Sequence, residues 1–200
     1  MSEATAETQL ALPSGAPAER PHRLNLAVLL AVCAVAMAFG AWLAAYLNVR
    51  ALARVWPPDD VELDNYLGVM LFVTMLLSAA TAEWAPYAVK RGNRRQTMTA
   101  LAVTIGFGVA FVNLAWYAWS QFGFGPADHT FGTLAWAGYA AAALNVGAGV
   151  GFLAVALARA AGNQVQPGRH ELVRAAAWYW QGCGLAWLVV FTGLYVFQHR

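Results

Sequence analysis

The sequence predicts an all-α fold, an integral membrane bundle of five transmembrane helices, and three observations lead to it. Of its 200 residues 60% are apolar and only 11% are charged, whereas a soluble domain carries about 25% charged residues. Five nearly uncharged runs approach or exceed the roughly 20 residues that cross a hydrocarbon core. Lys and Arg gather in every second connection between those runs, as they do in multi-pass membrane proteins.

The runs place spans at about 24–47, 66–89, 97–121, 132–158 and 175–197. None sustains the period-2 alternation of a barrel strand, so the backbone must satisfy its hydrogen bonds within helices. Residues 1–21 are rich in Ala, Glu, Ser, Thr and Pro and contain no run long enough to span; they are expected to form a disordered cytoplasmic tail. The run from Leu24 to Val49 is uncharged for 26 residues, longer than the roughly 7–15 of a cleavable signal, and is expected to stay as the first helix. In the second span a lone acid, Glu83, interrupts the apolar run, and Pro86 follows it by three residues.

Basic residues orient the bundle. Arg20, Arg23, Lys90, Arg91, Arg94, Arg95, Arg159, Arg169 and Arg174 fall on one face, and Arg50, Arg54 and Arg200 on the other. Positive residues are retained inside, which places the N-terminus in the cytoplasm and the C-terminus outside. The outer first connection, with Asp59, Asp60, Glu62 and Asp64, is acidic. Trp56, Tyr66, Trp84, Tyr87, Trp116, Tyr117 and Trp119 stand near span ends as an aromatic belt. Gly147, Gly149 and Gly151 in the fourth span are small enough to let helices approach closely.

The chemistry-bearing residues exclude several functions. His22, His129, His170 and His199 lie outside the spans, and no two have the spacing of a helical ligand pair, so no haem, copper or zinc site is expected. Cys33 and Cys183 sit in apolar runs and act as small hydrophobes. There is no phosphate-binding glycine loop and no Ser/His/Asp set. With a net charge of +2 distributed by topology, nucleic acid is not an expected partner. Glu83 is the candidate lipid or proton site, because an acid at bilayer depth is costly unless it is used. No cofactor is expected.

Taken in order, the segments resemble subunit III of the haem-copper oxidases, that is, of cytochrome c oxidase, in a divergent five-helix bacterial form. The resemblance rests on Ala45-Tyr46-Leu47-Asn48-Val49-Arg50 closing the first helix, Trp56-Pro57-Pro58 with the acidic segment ending Glu62-Leu63, and Thr104, Gly108 and Phe111 in the third. It rests above all on Tyr179, Trp180, Trp187, Phe191 and Tyr195, which match the closing "YWHFxDxxWxxxFxxxY" stretch of the family. Several buried polar positions of the family are missing: its membrane glutamate falls at Val35, the Gln and Glu of helix three at Ala115 and Ala118, the "HGxHV" histidines at Ala142 and Asn145, and the closing His and Asp at Gln181 and Gly184.

What the resemblance implies is a non-catalytic accessory subunit of a respiratory-chain oxidase in the bacterial cytoplasmic membrane. Its expected partners are the catalytic haem-copper subunit, the other oxidase subunits and membrane lipids. Tyr179, Trp180, Trp187, Gly147 and Gly151 are its candidate packing residues, and the loss of the polar set argues against a proton-uptake role. A nitric oxide reductase accessory subunit and a small transporter are the alternatives. A transporter would show paired broken helices or several intramembrane polar residues, where this chain offers Glu83, Pro86, Asn113 and Asn145. The connections are too short to hold a loop-based active site.

Overall fold

The computed structural model describes residues 22–58, 61, 63–165 and 170–197. The expected tail lies outside the described residues, as do Arg169, His199, Arg200 and most of the acidic connection. Five helices carry the chain: α1 (His22–Leu52), α2 (Asn65–Lys90), α3 (Arg94–Ser120), α4 (Thr130–Ala161) and α5 (Glu171–Phe191), the last running on into a π-helical turn, Thr192–Val196. No strand occurs among the described residues.

Helices α2, α3 and α4 begin where a side chain takes up an orphan backbone N–H of the first turn. The Asp64 carboxylate accepts from the Tyr66 N–H at 2.8 Å, Asn93 Oδ1 from the Gln96 N–H at 3.1 Å, and His129 Nδ1 from the Gly132 N–H at 2.7 Å. Between α2 and α3 the chain reverses on Gly92, whose φ of 69° is the left-handed conformation that glycine adopts without Cβ strain. Pro86 lies inside α2 near its end, and the helix continues through it to Lys90.

Helices α2, α3, α4 and α5 close a ring of antiparallel neighbours, and α1 lies outside it against α5. Contacts fix the register. Met75 packs at Gly184, Phe72 stacks on Phe191 at 5.0 Å, and Gly68 lies under Tyr195, so α2 and α5 run in opposite directions. Val32 meets Gly182 and Trp42 meets Gly193, which sets α1 parallel to α5. The Trp42 indole N–H donates to the Leu134 carbonyl at 3.0 Å and ties α1 to α4.

Helices α1 to α4 are long and apolar enough to cross a membrane, as expected of a multi-pass membrane protein. α5 is less apolar, with Glu171, Arg174, Tyr179 and Gln181 along it, and its place in the bundle gives the reason. Neighbours on three sides cover it, so it presents little surface that a hydrocarbon solvent would require to be apolar. α1 is the opposite case: Leu26, Leu29, Leu30 and Met37 are all exposed.

At the basic end, Arg94 reaches across to the last turn of α4. Its Nε donates to the Ala160 carbonyl at 3.0 Å, and its Nη2 donates to the Ala161 carbonyl. A cation at a helix C-terminus satisfies orphan carbonyls and complements the helix dipole. Arg94→Ala is therefore expected to lower stability by about 1 kcal/mol, while Arg95→Ala leaves it within about 0.5 kcal/mol. Thermal unfolding in detergent, comparing the two variants, checks this.

Candidate functional site

One turn of α5 organises the bundle. Successive helical residues point about 100° apart, so Tyr179, Trp180 and Gln181 point in different directions and between them reach α4 and α2. The Tyr179 hydroxyl donates to Asn145 Oδ1 on α4 at 2.9 Å. Trp180, with no exposed surface, donates from its indole N–H to the Ser78 hydroxyl on α2 at 3.0 Å. Gln181 donates from Nε2 both to the Ala79 carbonyl at 3.0 Å and to Glu83 Oε1 at 3.2 Å, again on α2. Half a turn further, the Cys183 thiol lies 3.5 Å from the Asn145 carbonyl.

The indole of Trp180 fits only because glycines on two helices leave room for it. A Cβ on Gly108 of α3 would lie 2.6 Å from Trp180 Cη2, and one on Gly149 of α4 would lie 3.0 Å from its Cε3. Beside this layer the Thr81 and Thr104 hydroxyls bond at 2.9 Å and join α2 to α3. Thr104 also donates to the Ala100 carbonyl of its own helix. Towards the other end of the bundle Trp187 is buried between Phe111 and Tyr139, edge-on to both at 5.0 and 5.3 Å. The Tyr139 and Tyr195 hydroxyls bond to each other there, and Trp56 donates to the Tyr46 hydroxyl at 3.0 Å.

The candidate residues thus separate. Tyr179, Trp180, Gln181 and Glu83 come together in one collar, with Trp187 two turns away on the same helix. Gly147 and Gly151 do not join them. Both are exposed on α4 with nothing within 4 Å of an added Cβ, and Gly149 between them makes the close approach to α5. Glu83 is exposed on the outer face of α2. Ser78, Thr81 and Arg94 emerge from the structure as organising residues. Their signal in the sequence was a hydroxyl inside an apolar run and a basic residue at a helix end, both of which occur too widely to single out a position.

Of the positions where the resemblance calls for polar groups, four are filled by small packing residues, while Asn145 and Gln181 keep polar side chains that bond across the bundle. Ala115, Ala118 and Ala142 are buried in the core, and Gly184 sits against Met75. Among the described residues no group of three or more His, Cys, Asp or Glu is placed to hold a metal ion. Cys33 and Cys183 are free thiols on different helices. The collar can therefore brace helices, and the histidine at the α4 start is occupied as a cap.

Comparison with known proteins bears on the same turn of α5. The family model for cytochrome c oxidase subunit III matches residues 19–199. The cytochrome c oxidase subunit 3 of Gallus gallus is 34% identical over 146 residues, covering 72% of this chain and 56% of that one. That of Pylaiella littoralis is 30% identical, covering 72% and 54%, and that of Coturnix japonica 32%, covering 72% and 56%. The chain spans about half the length of the curated relatives it matches. With the closing aromatic stretch on its central helix and the family match running through all five helices, this chain belongs to the cytochrome c oxidase subunit III family.

Proposed function

We propose that this chain is a non-catalytic accessory subunit of a haem-copper terminal oxidase, one that stabilises the catalytic subunit and holds lipid around it. The observation that carries this reading is the α5 collar. Its polar side chains bond across to α2 and α4, the kind of bracing a scaffold requires. Protein haem and copper sites are built on imidazole, thiolate and thioether ligands, and the collar's cross-helix bonds are made by hydroxyl, amide, indole and carboxyl groups, with Cys183 as its one thiol and no imidazole among them.

The end bearing Lys90, Arg91, Arg94, Arg95, Arg159 and Arg174 faces the cytoplasm in this proposal, on the positive-inside rule. The fifth span covers about 175–197, using the π-helical turn to complete a length that α5 alone barely reaches. The membrane is the bacterial cytoplasmic membrane. Exposed apolar faces, such as Leu26, Leu30 and Met37 on α1, meet lipid or other subunits.

Affinity purification in a mild detergent tests the assignment. The expected result is co-migration with a haem-containing polypeptide in fixed ratio, seen as a haem absorption band in the eluate. Migration alone under conditions that preserve other membrane complexes would contradict it.

A further inference from the structure

Between α2 and α5 the outer surface carries an apolar groove of about 320 Å³. Buried Met75 and Trp187 form its base, half-buried Ala79 and Gly184 its floor, and the exposed Leu76 and Leu185 stand on either side. Gln181 closes one end and donates to Glu83, which lies one helical turn beyond Ala79. We infer that this groove is the seat of a transmembrane helix from another subunit, a helix that presents a hydrogen-bond-donating side chain to Glu83. The inference rests on the accessory-subunit reading and gives it a surface.

Two features select a helix as the occupant. Small residues flanked by large ones form the relief into which a helix packs in a membrane, where close backbone approach is the main attraction. The Glu83 carboxyl is exposed and receives from this chain a single amide hydrogen, since Gln181 divides its Nε2 hydrogens between Glu83 and the Ala79 carbonyl. Its remaining lone pairs require a donor, because an acidic group at such depth is costly when unpartnered. An acyl chain in the groove offers none, and the headgroup level near Lys90 is seven residues away, roughly 10 Å of helix.

A photoreactive amino acid placed at Leu188, at the groove, and separately at Leu144, which is exposed on α4, tests this in intact membranes. The expected result is an adduct at Leu188 with an integral subunit that co-purifies with the chain. That adduct should fall about tenfold in Glu83→Leu, by the loss of one interhelical hydrogen bond, and persist in Glu83→Gln, which keeps an acceptor. Adducts at Leu188 with lipid alone or with a second copy of this chain overturn the inference, as does a subunit adduct at Leu144 in place of Leu188. An equal yield in Glu83→Leu also overturns it. If a haem partner co-purifies while Leu188 stays unlinked, the inference fails and the accessory-subunit reading stands; if no haem partner co-purifies, that reading fails by its own test.

Discussion

Trp180→Ala is expected to be the most damaging single substitution in the bundle, lowering stability by about 3–5 kcal/mol. The indole is fully buried where α2, α3, α4 and α5 converge, so truncation leaves a cavity that four rigid helices cannot close. It also leaves the Ser78 hydroxyl without the indole donor, although that hydroxyl still donates to the Met75 carbonyl of its own helix. Trp180→Phe separates the two effects, because most of the volume remains while the N–H is lost; its expected cost is about 1–2 kcal/mol. Thermal unfolding in detergent, monitored by helical circular dichroism, should rank the three proteins wild type, Phe, Ala. Equal stability of wild type and the alanine variant would mean that this layer does not hold the helices together.

Gly108→Ala is expected to destabilise by about 1–3 kcal/mol or more, although the change adds a single methyl group. Its Cβ would lie 2.5 Å from Val150 Cγ2 and 2.6 Å from Trp180 Cη2, distances at which α3 or these packed side chains must shift. Gly106, half a turn earlier, has nothing within 4 Å of an added Cβ. There the same substitution should stabilise by roughly 0.5–1 kcal/mol, the helix-propensity gain of alanine over glycine. Gly147→Ala and Gly151→Ala should follow Gly106, since both point away from the bundle. Opposite signs at Gly106 and Gly108 in one melting experiment would establish that proximity to Trp180, and not helix propensity, governs the response.

The helices were legible because a membrane imposes length and polarity on each span, and both are one-dimensional properties of the chain. The closing aromatic stretch marked α5 as the helix with most to contribute. Glu83's place within α2 was legible, but its direction was not. Nothing in the order of residues tells whether an acid in α2 faces the bundle or its surroundings, because that depends on how α2 is rotated against α3 and α5. The glycines of α4 illustrate the same limit. Gly147, Gly149 and Gly151 look equivalent in the sequence, yet at 100° per residue only Gly149 turns towards Trp180. Pairings such as Thr81 with Thr104, or Arg94 with the end of α4, join residues far apart in the chain and require the packed bundle to be seen.

In the proposed role this chain supports another polypeptide's redox chemistry without a redox centre of its own. Haem and copper content of the polypeptide, first in its purified complex and then after separation from its partners in folded form, tests that claim most directly. The expected result is stoichiometric haem and copper in the complex and none that follows this chain on separation. Stoichiometric haem or copper retained by the isolated, folded chain would contradict it.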